Sequence, residues 1–161
     1  MGYMTTSDFD FALLQEGIGE YIESNKDKRM KDYVLFIGYE EIGVEDETLI
    51  VGGISNIDSI YPLIKRAKEC YFDDNAISIN TKSQNLNMFV NQEFFNQLHS
   101  YVQEKLDKVI KLKMLTFISA LVDQSKHSFQ KLTNLIYIRS TIDKKEDFLY
   151  FFERLLEQEG N

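Results

Sequence analysis

The interval between apolar residues changes several times along this chain, and each change predicts a new element. Apolar side chains recur at the helical interval from residue 11 to residue 22, behind Ser7 as a helix cap. Residues 33–37 and 48–51 are short runs rich in β-branched, aromatic and leucine residues, which are typical of strands. The polar loop at residues 43–47 separates these runs, so the sequence predicts an antiparallel hairpin.

Two adjacent glycines then interrupt the pattern. Gly52 and Gly53 predict the end of the second strand, and Ser55 or Ser59 is expected to cap a helix that runs to about Tyr71. Backbone N–H groups at such a strand-to-helix turn can hold an anion, which makes Gly52, Gly53 and Ser55 candidate ligand-binding residues. The chain contains neither the G-x-G-x-x-G nor the G-K-[ST] motif, so a turn without a ligand is the alternative.

The second half of the chain alternates between clear and ambiguous patterns. Residues 76–80 and 86–90 predict a third and a fourth strand, and a helical stripe extends from residue 91 to near residue 113. Residues 114–122 are apolar on nearly all sides, which favours a buried central helix but leaves a strand open. Residues 132–142 have the same ambiguity, and their β-branched residues raise the case for a strand.

The clearest helix of the chain comes last, with an apolar face between residues 148 and 156. Strands gathered early and helices late predict an α+β fold, with a small antiparallel sheet of about four strands packed against helices and a helical C-terminal half. Neither linker composition nor an internal sequence repeat is visible, so we expect one compact domain over residues 1–161. The predicted core unites six apolar residues. They are Leu35, Ile37, Ile50, Phe117, Phe151 and Leu155.

Charge is distributed unevenly between the two halves. Residues 1–80 carry sixteen acidic and seven basic residues, a net charge of −9, whereas residues 81–161 carry ten and eleven, a net charge of +1. Five carboxylates cluster at the predicted hairpin loop, where binding residues are common. They are Glu40, Glu41, Glu45, Asp46 and Glu47. This cluster predicts a protein-binding surface for a partner with a basic surface, and solubility alone is the simpler alternative.

Residues that carry chemistry are few and scattered. Cys70 is the single cysteine and His99 and His127 are the only histidines, so the sequence predicts no catalytic dyad, no metal site, no disulfide and no cofactor. The basic residues between Lys105 and Lys131 are interrupted by acidic ones, and the chain has a net charge of −8. Direct nucleic-acid binding is therefore disfavoured.

These absences and the charge favour a small acidic protein-binding module without catalytic activity, of the inhibitor, immunity or adaptor type found in bacteria and phages. The alternatives are a ligand- or nucleotide-binding regulatory domain that uses Gly52, Gly53 and Ser55, and a small enzyme whose site is assembled from scattered residues. Without a long apolar run or a secretory signal, we expect a cytoplasmic protein that does not enter membranes. Homo-oligomerisation stays open.

Overall fold

Four helices and four strands make up the described part of the chain. The computed structural model describes residues 11–41, 49–72, 92–106, 110–121 and 135–159. In chain order the elements are α1 (Phe11–Asn25), β1 (Met30–Glu41), β2 (Ile50–Ser55), α2 (Tyr61–Phe72), α3 (Gln92–Leu106), β3 (Ile110–Leu121), β4 (Leu135–Ser140) and α4 (Lys145–Glu159). The predicted strands at residues 76–80 and 86–90 lie outside the described residues.

The four strands form one antiparallel sheet in the order β2-β1-β3-β4. The two long strands, β1 and β3, lie in the centre, and the two short strands lie at the edges. Helices pack against both faces of this sheet. The predicted α+β class, with a four-stranded antiparallel sheet packed against helices, is thereby confirmed.

Side chains of the two central strands contribute to two separate hydrophobic cores, one on each face of the sheet. Leu35 and Ile37 of β1 pack with α1 and α3 on one face, whereas Val34 and Phe36 pack with α2 and α4 on the other. The sheet therefore divides the single core that the sequence predicts. Among its six members, Phe117 belongs to the first core and Leu155 to the second. The other two, Ile50 and Phe151, are only half-buried.

Residues 114–122, where the pattern favoured a buried helix and left a strand open, fall largely in a strand, since β3 spans Ile110–Leu121. A strand that is covered by helices on both faces is apolar on both faces, and a buried helix shows the same composition. α3 ends at Leu106 and β3 begins at Ile110, whereas the apolar stripe suggested a helix to residue 113. The ambiguous stretch at residues 132–142 contains the strand β4.

Among the described elements, the order α-β-β-α occurs twice. We call α1, β1, β2 and α2 the first unit, and α3, β3, β4 and α4 the second unit. Residues 34–39 of β1 pair with β2, and the corresponding residues 116–121 of β3 pair with β4. The equivalent residues Leu35 and Phe117 lie opposite each other, so an approximate twofold axis passes through this pair, perpendicular to the sheet.

Irregularities in the β1–β3 pairing obey the same symmetry. Lys31 is an extra residue near the start of β1, and Lys113 is an extra residue near the start of β3. The helices α1 and α3 occupy equivalent positions in the two units. They meet where the rings of Tyr21 and Tyr101 stack with 4.1 Å between their centroids. The repeat is therefore visible in the structure, although no internal repeat is visible in the sequence.

Candidate functional site: a groove between β2 and α4

A groove of about 840 Å³ opens between the edge strand β2 and the last helix, α4. Val34 and Phe36 of β1 and Met114 of β3 form its floor, and the Phe151 ring of α4 stands edge-on to the Phe36 ring with 5.5 Å between their centroids. The groove therefore combines an apolar floor with polar and charged groups along its walls, a combination that suits a binding site.

The groove exists because, among the described helices, α2 of the first unit covers β4, the outer strand of the second unit, whereas α4 of the second unit leaves β2 exposed on the same face. α2 lies on β3 and β4, whereas α4 packs mainly against α2. The sheet register makes Val51 and Gly53 of β2 equivalent to Ile136 and Ile138 of β4. Ile136 is 3% exposed but Val51 is 42% exposed, and Gly53 brings no side chain to the face where Ile138 packs.

Large exposed apolar side chains concentrate at this groove. Leu49 is 46% exposed and Tyr150 is 61% exposed, and both line the groove together with Val51. Among the described residues only one other large apolar side chain is comparably exposed, Leu13 on α1. Clustered apolar exposure marks a surface that another molecule covers, whereas single exposed residues need no explanation.

Gly38 lies beneath the Leu49 end of the groove. A Cβ atom added to this glycine would come within 3.0 Å of the Met114 Cβ atom and 3.2 Å of the Leu49 Cδ1 atom. Only glycine therefore lets β1 approach these two lining residues so closely. The shape of this end of the groove therefore depends on Gly38 having no side chain.

Charged groups are placed unequally along the groove. The Thr141 N–H donates to the Leu115 carbonyl (2.9 Å). Leu115 lies opposite Ile37, and Ile37 lies opposite Gly52, so Thr141 is level with Gly52 across the sheet. Because α4 begins just beyond Thr141, the lining residues Asp143 and Asp147 lie at the end of the groove nearest Leu49.

Arg154 lines the groove two turns further along α4. Its guanidinium donates to the Tyr150 hydroxyl (3.1 Å). Within the described ranges, Asp143, Asp147 and Arg154 make no ion pair, whereas Lys113 is paired with Glu40 at 3.8 Å. The groove therefore has unneutralised carboxylates at one end and a cation nearer the other.

The outer edge of β2 presents backbone hydrogen-bonding groups. The Asn56 N–H donates to the Tyr33 carbonyl (3.4 Å), and the Tyr33 N–H donates to the Asn56 Oδ1 atom (2.8 Å). Backbone groups of successive strand residues alternate in direction, so those of Val51, Gly53 and Ser55 point away from β1. The Gln15 side chain donates to one of them, the Gly53 carbonyl, at 3.2 Å.

The predicted strand-to-helix turn at Gly52, Gly53 and Ser55 is wrong. These residues lie within β2, opposite Ile37, Phe36 and Val34, and α2 begins only at Tyr61. The two glycines fitted the pattern of a strand end, but pairing with β1 carries the strand past them. All three residues nevertheless line the groove, for a reason that the sequence did not suggest.

The predicted acidic surface is only partly within the described residues. Glu40 is half-buried near the end of β1 and Glu41 is the last residue of that strand, whereas Glu45, Asp46 and Glu47 lie outside the described ranges. Sequence reasoning missed Asp147, Tyr150 and Arg154. Their spacing of three and four residues places them on one flank of the amphipathic helix α4, and this was the available signal.

Groups that could suggest catalysis lie elsewhere. His99 is half-buried on α3, and His127 lies outside the described ranges. Hydrogen bonds from Arg29 hold the pKa of the Asp27 carboxyl below its usual range, but neither residue lines the groove. In the parts of the chain that the structure describes, no group of three or more His, Cys, Asp or Glu residues is arranged to hold a metal ion.

Comparisons of the chain with protein-family models, with curated proteins and with solved structures found no match. None of the helices within the described ranges combines the length and the apolar character needed to span a membrane.

Proposed function

We propose that this chain is a non-catalytic protein-binding module and that it binds its partner through the groove between β2 and α4. The observation that carries the proposal is the clustering of Leu49, Val51 and Tyr150, three exposed apolar side chains, along one groove. Apolar centres with charged rims are typical of interfaces between proteins. An inhibitor, immunity or adaptor role of bacterial or phage type fits a small cytoplasmic domain of this kind.

Charge supports the same surface. The acidic residues Glu45, Asp46 and Glu47 come shortly before Leu49 in the sequence, and Leu49 lines the groove. We propose that this cluster attracts a partner with a basic surface and raises the association rate.

Affinity purification from the native cell, followed by mass spectrometry, tests the proposal when variants are compared. Leu49→Asp and Tyr150→Asp place a charge in the groove, and Leu13→Asp places the same charge on an exposed leucine of α1. We expect a protein that is retained by the wild type and by Leu13→Asp but lost with both groove variants, while thermal melting shows all four chains folded. A captured protein that the groove variants retain equally well would contradict the proposal.

The acidic cluster has its own test once that partner is known. Replacing Glu45, Asp46 and Glu47 by Gln, Asn and Gln removes three charges and keeps the side-chain sizes. We expect a lower association rate and a weaker dependence on salt, with little change in the dissociation rate. Unchanged association kinetics would assign the acidity to solubility alone.

A second candidate function is a ligand- or nucleotide-binding regulatory domain. It is favoured by the fact that Gly52, Gly53 and Ser55 all line a groove large enough for a small molecule. Melting the protein with ATP, GTP and cyclic nucleotides at millimolar concentration tests it. A rise in melting temperature that Gly53→Val abolishes would support this function, and no shift with any nucleotide would oppose its nucleotide form.

A further inference from the structure

We propose that the occupant of the groove is an extended segment of another polypeptide, which pairs with the outer edge of β2 and places a basic side chain beside Asp143 and Asp147. This inference rests on the proposed protein-binding function and names the chemistry of the partner. The backbone edge, the shape of the groove and its charges each contribute to it.

The backbone edge favours an extended occupant. β2 is the terminal strand of the described sheet, and Val51, Gly53 and Ser55 direct their N–H and C=O groups outward. A sheet edge of this kind pairs with an added strand, which satisfies these groups in a regular pattern and would replace the Gln15 side chain as the donor to the Gly53 carbonyl. The six residues of β2 span about 20 Å, so a partner segment of about six residues would match it.

The groove accommodates alternate side chains of such a segment. Every second residue of an added strand would point to the same face as Val51 and Gly53, toward α4. Gly53 itself brings no side chain to this face, and an added Cβ atom would be in ordinary contact with the Phe36 ring at 3.6 Å. Tyr150 and Leu49 then offer apolar contacts, so we expect apolar residues at the alternate positions of the segment.

The charges along the groove indicate which end of the segment carries its basic residue. Asp143 and Asp147 lie at the Leu49 end of the groove, and Arg154 lies about 10 Å further along α4. Both carboxylates are exposed and, in the described chain, form no ion pair. A lysine or arginine at this end of the segment would neutralise them, whereas an acidic residue there would be repelled.

Selection from a phage-displayed library of random 12-residue peptides tests the charge preference. The baits are the wild type, Asp147→Lys, and Glu153→Lys as a matched control on an exposed position of α4 that does not line the groove. We expect the wild type and Glu153→Lys to enrich peptides with alternating apolar residues and a terminal basic residue. Asp147→Lys should lose the basic preference, with at least tenfold weaker binding of the wild-type peptides.

A synthetic copy of the most enriched peptide tests the pairing with β2. On binding, we expect at least tenfold slower hydrogen exchange at the Val51, Gly53 and Ser55 amides, measured by NMR with the isotope-labelled protein. A peptide that binds as a helix, or that leaves these amides unprotected, would overturn the inference.

Failure of this inference and failure of the proposed function remain distinguishable. If the selections enrich no groove-dependent peptide, or enrich peptides without a basic residue, the inference is overturned. A cellular partner that is still lost with Leu49→Asp and Tyr150→Asp would keep the protein-binding function. If no captured protein depends on those residues, the function itself falls.

Discussion

β2 and β4 hold equivalent places at the two edges of the sheet, but their surroundings differ. The helix-facing side of β4 carries Ile136 and Ile138, which pack in the second core under α2. The matching side of β2 carries Val51 and Gly53, and both are exposed. The second unit therefore uses its outer strand as part of the core, and the first unit leaves its outer strand as the wall of a groove.

This difference shows that the two units are alike at the central strands and differ at the outer strands. The central strands keep the paired arrangement on both sides of the axis because both cores depend on them. The outer strands contribute less to the two cores. A smaller side chain on an outer strand can therefore expose the face of that strand with little loss of folding stability. We expect substitutions near the axis to unfold the protein and substitutions at β2 to change binding.

The largest expected effect is at the axis. Phe117 is fully buried, and its ring lies 5.3 Å from the Phe94 ring and 5.7 Å from the Tyr33 ring. Phe117→Ala should lower the free energy of unfolding by about 3–5 kcal/mol, because it leaves a cavity beneath α3. Urea unfolding followed by circular dichroism measures this loss. A loss below about 1 kcal/mol would show that the axis is not the centre of the core.

The next effect compares equivalent residues directly. Ile136→Ala should cost about 2–4 kcal/mol, whereas Val51→Ala should cost less than about 1 kcal/mol, because only the first side chain is buried. Both are measured by urea unfolding under the same conditions. Equal losses would show that β2 is covered in solution, and the contrast between the two units would then disappear.

A smaller effect is expected beneath the groove. Gly38→Ala should lower the free energy of unfolding by about 1–3 kcal/mol, because its new methyl group meets Met114 and Leu49. Gly53→Ala is the matched control, since its nearest contact would be an ordinary 3.6 Å. Thermal unfolding of the two variants measures the difference. A destabilised Gly53→Ala would mean that the groove is narrower than described.

The smallest effect concerns Tyr137, the counterpart of Gly52 in the second unit. Burial raises the pKa of the Tyr137 phenol to about 12, and the hydroxyl has no hydrogen-bond partner among the described residues. Because the folded pKa exceeds the ordinary value near 10, the associated stability is present below pH 10 and is lost as the pH rises toward 12.

Replacing Tyr137 by Phe removes this group. At neutral pH the free energy of unfolding should change by less than about 1 kcal/mol, because an unpaired buried hydroxyl contributes little. Between pH 10 and pH 12 the variant should lose less stability than the wild type, as measured by urea unfolding at each pH. Parallel pH profiles of the two proteins would show that Tyr137 does not titrate in this range.

Sequence reasoning predicted helices from their apolar faces and the hairpin strands from short β-branched and aromatic runs on both sides of a polar loop. The amphipathic helices α1 and α4 and the hairpin strands β1 and β2 lie close to their predicted positions. For β3 the pattern favoured a helix and left a strand open, because both faces of the strand are buried and the alternation that identifies a strand is absent. β1 is also buried on both faces, but its short run before a polar loop indicated a hairpin strand. The position of β3 next to β1 is set by tertiary packing, which a single sequence does not display.

The repeat and the groove were hidden for a related reason. Of the equivalent positions in β1 and β3, only Lys31 and Lys113 carry the same residue, and in β2 and β4 only Ser55 and Ser140 do. Apolar residues of different shape replace one another in a core as long as their total volume is kept. The groove then depends on which outer strand lacks a cover, and this follows from the paired units rather than from any local motif.

The residue pair at the twofold axis also affects which substitutions the chain can accept. In an assembly of two identical chains, the residue on the axis meets its own copy, so any substitution there occurs twice and must suit both partners. Here the two places belong to one chain and hold Leu35 and Phe117, a smaller side chain against a larger one. Covalent linkage of the two units thus lets each position, and each outer strand, change without a matching change in the other.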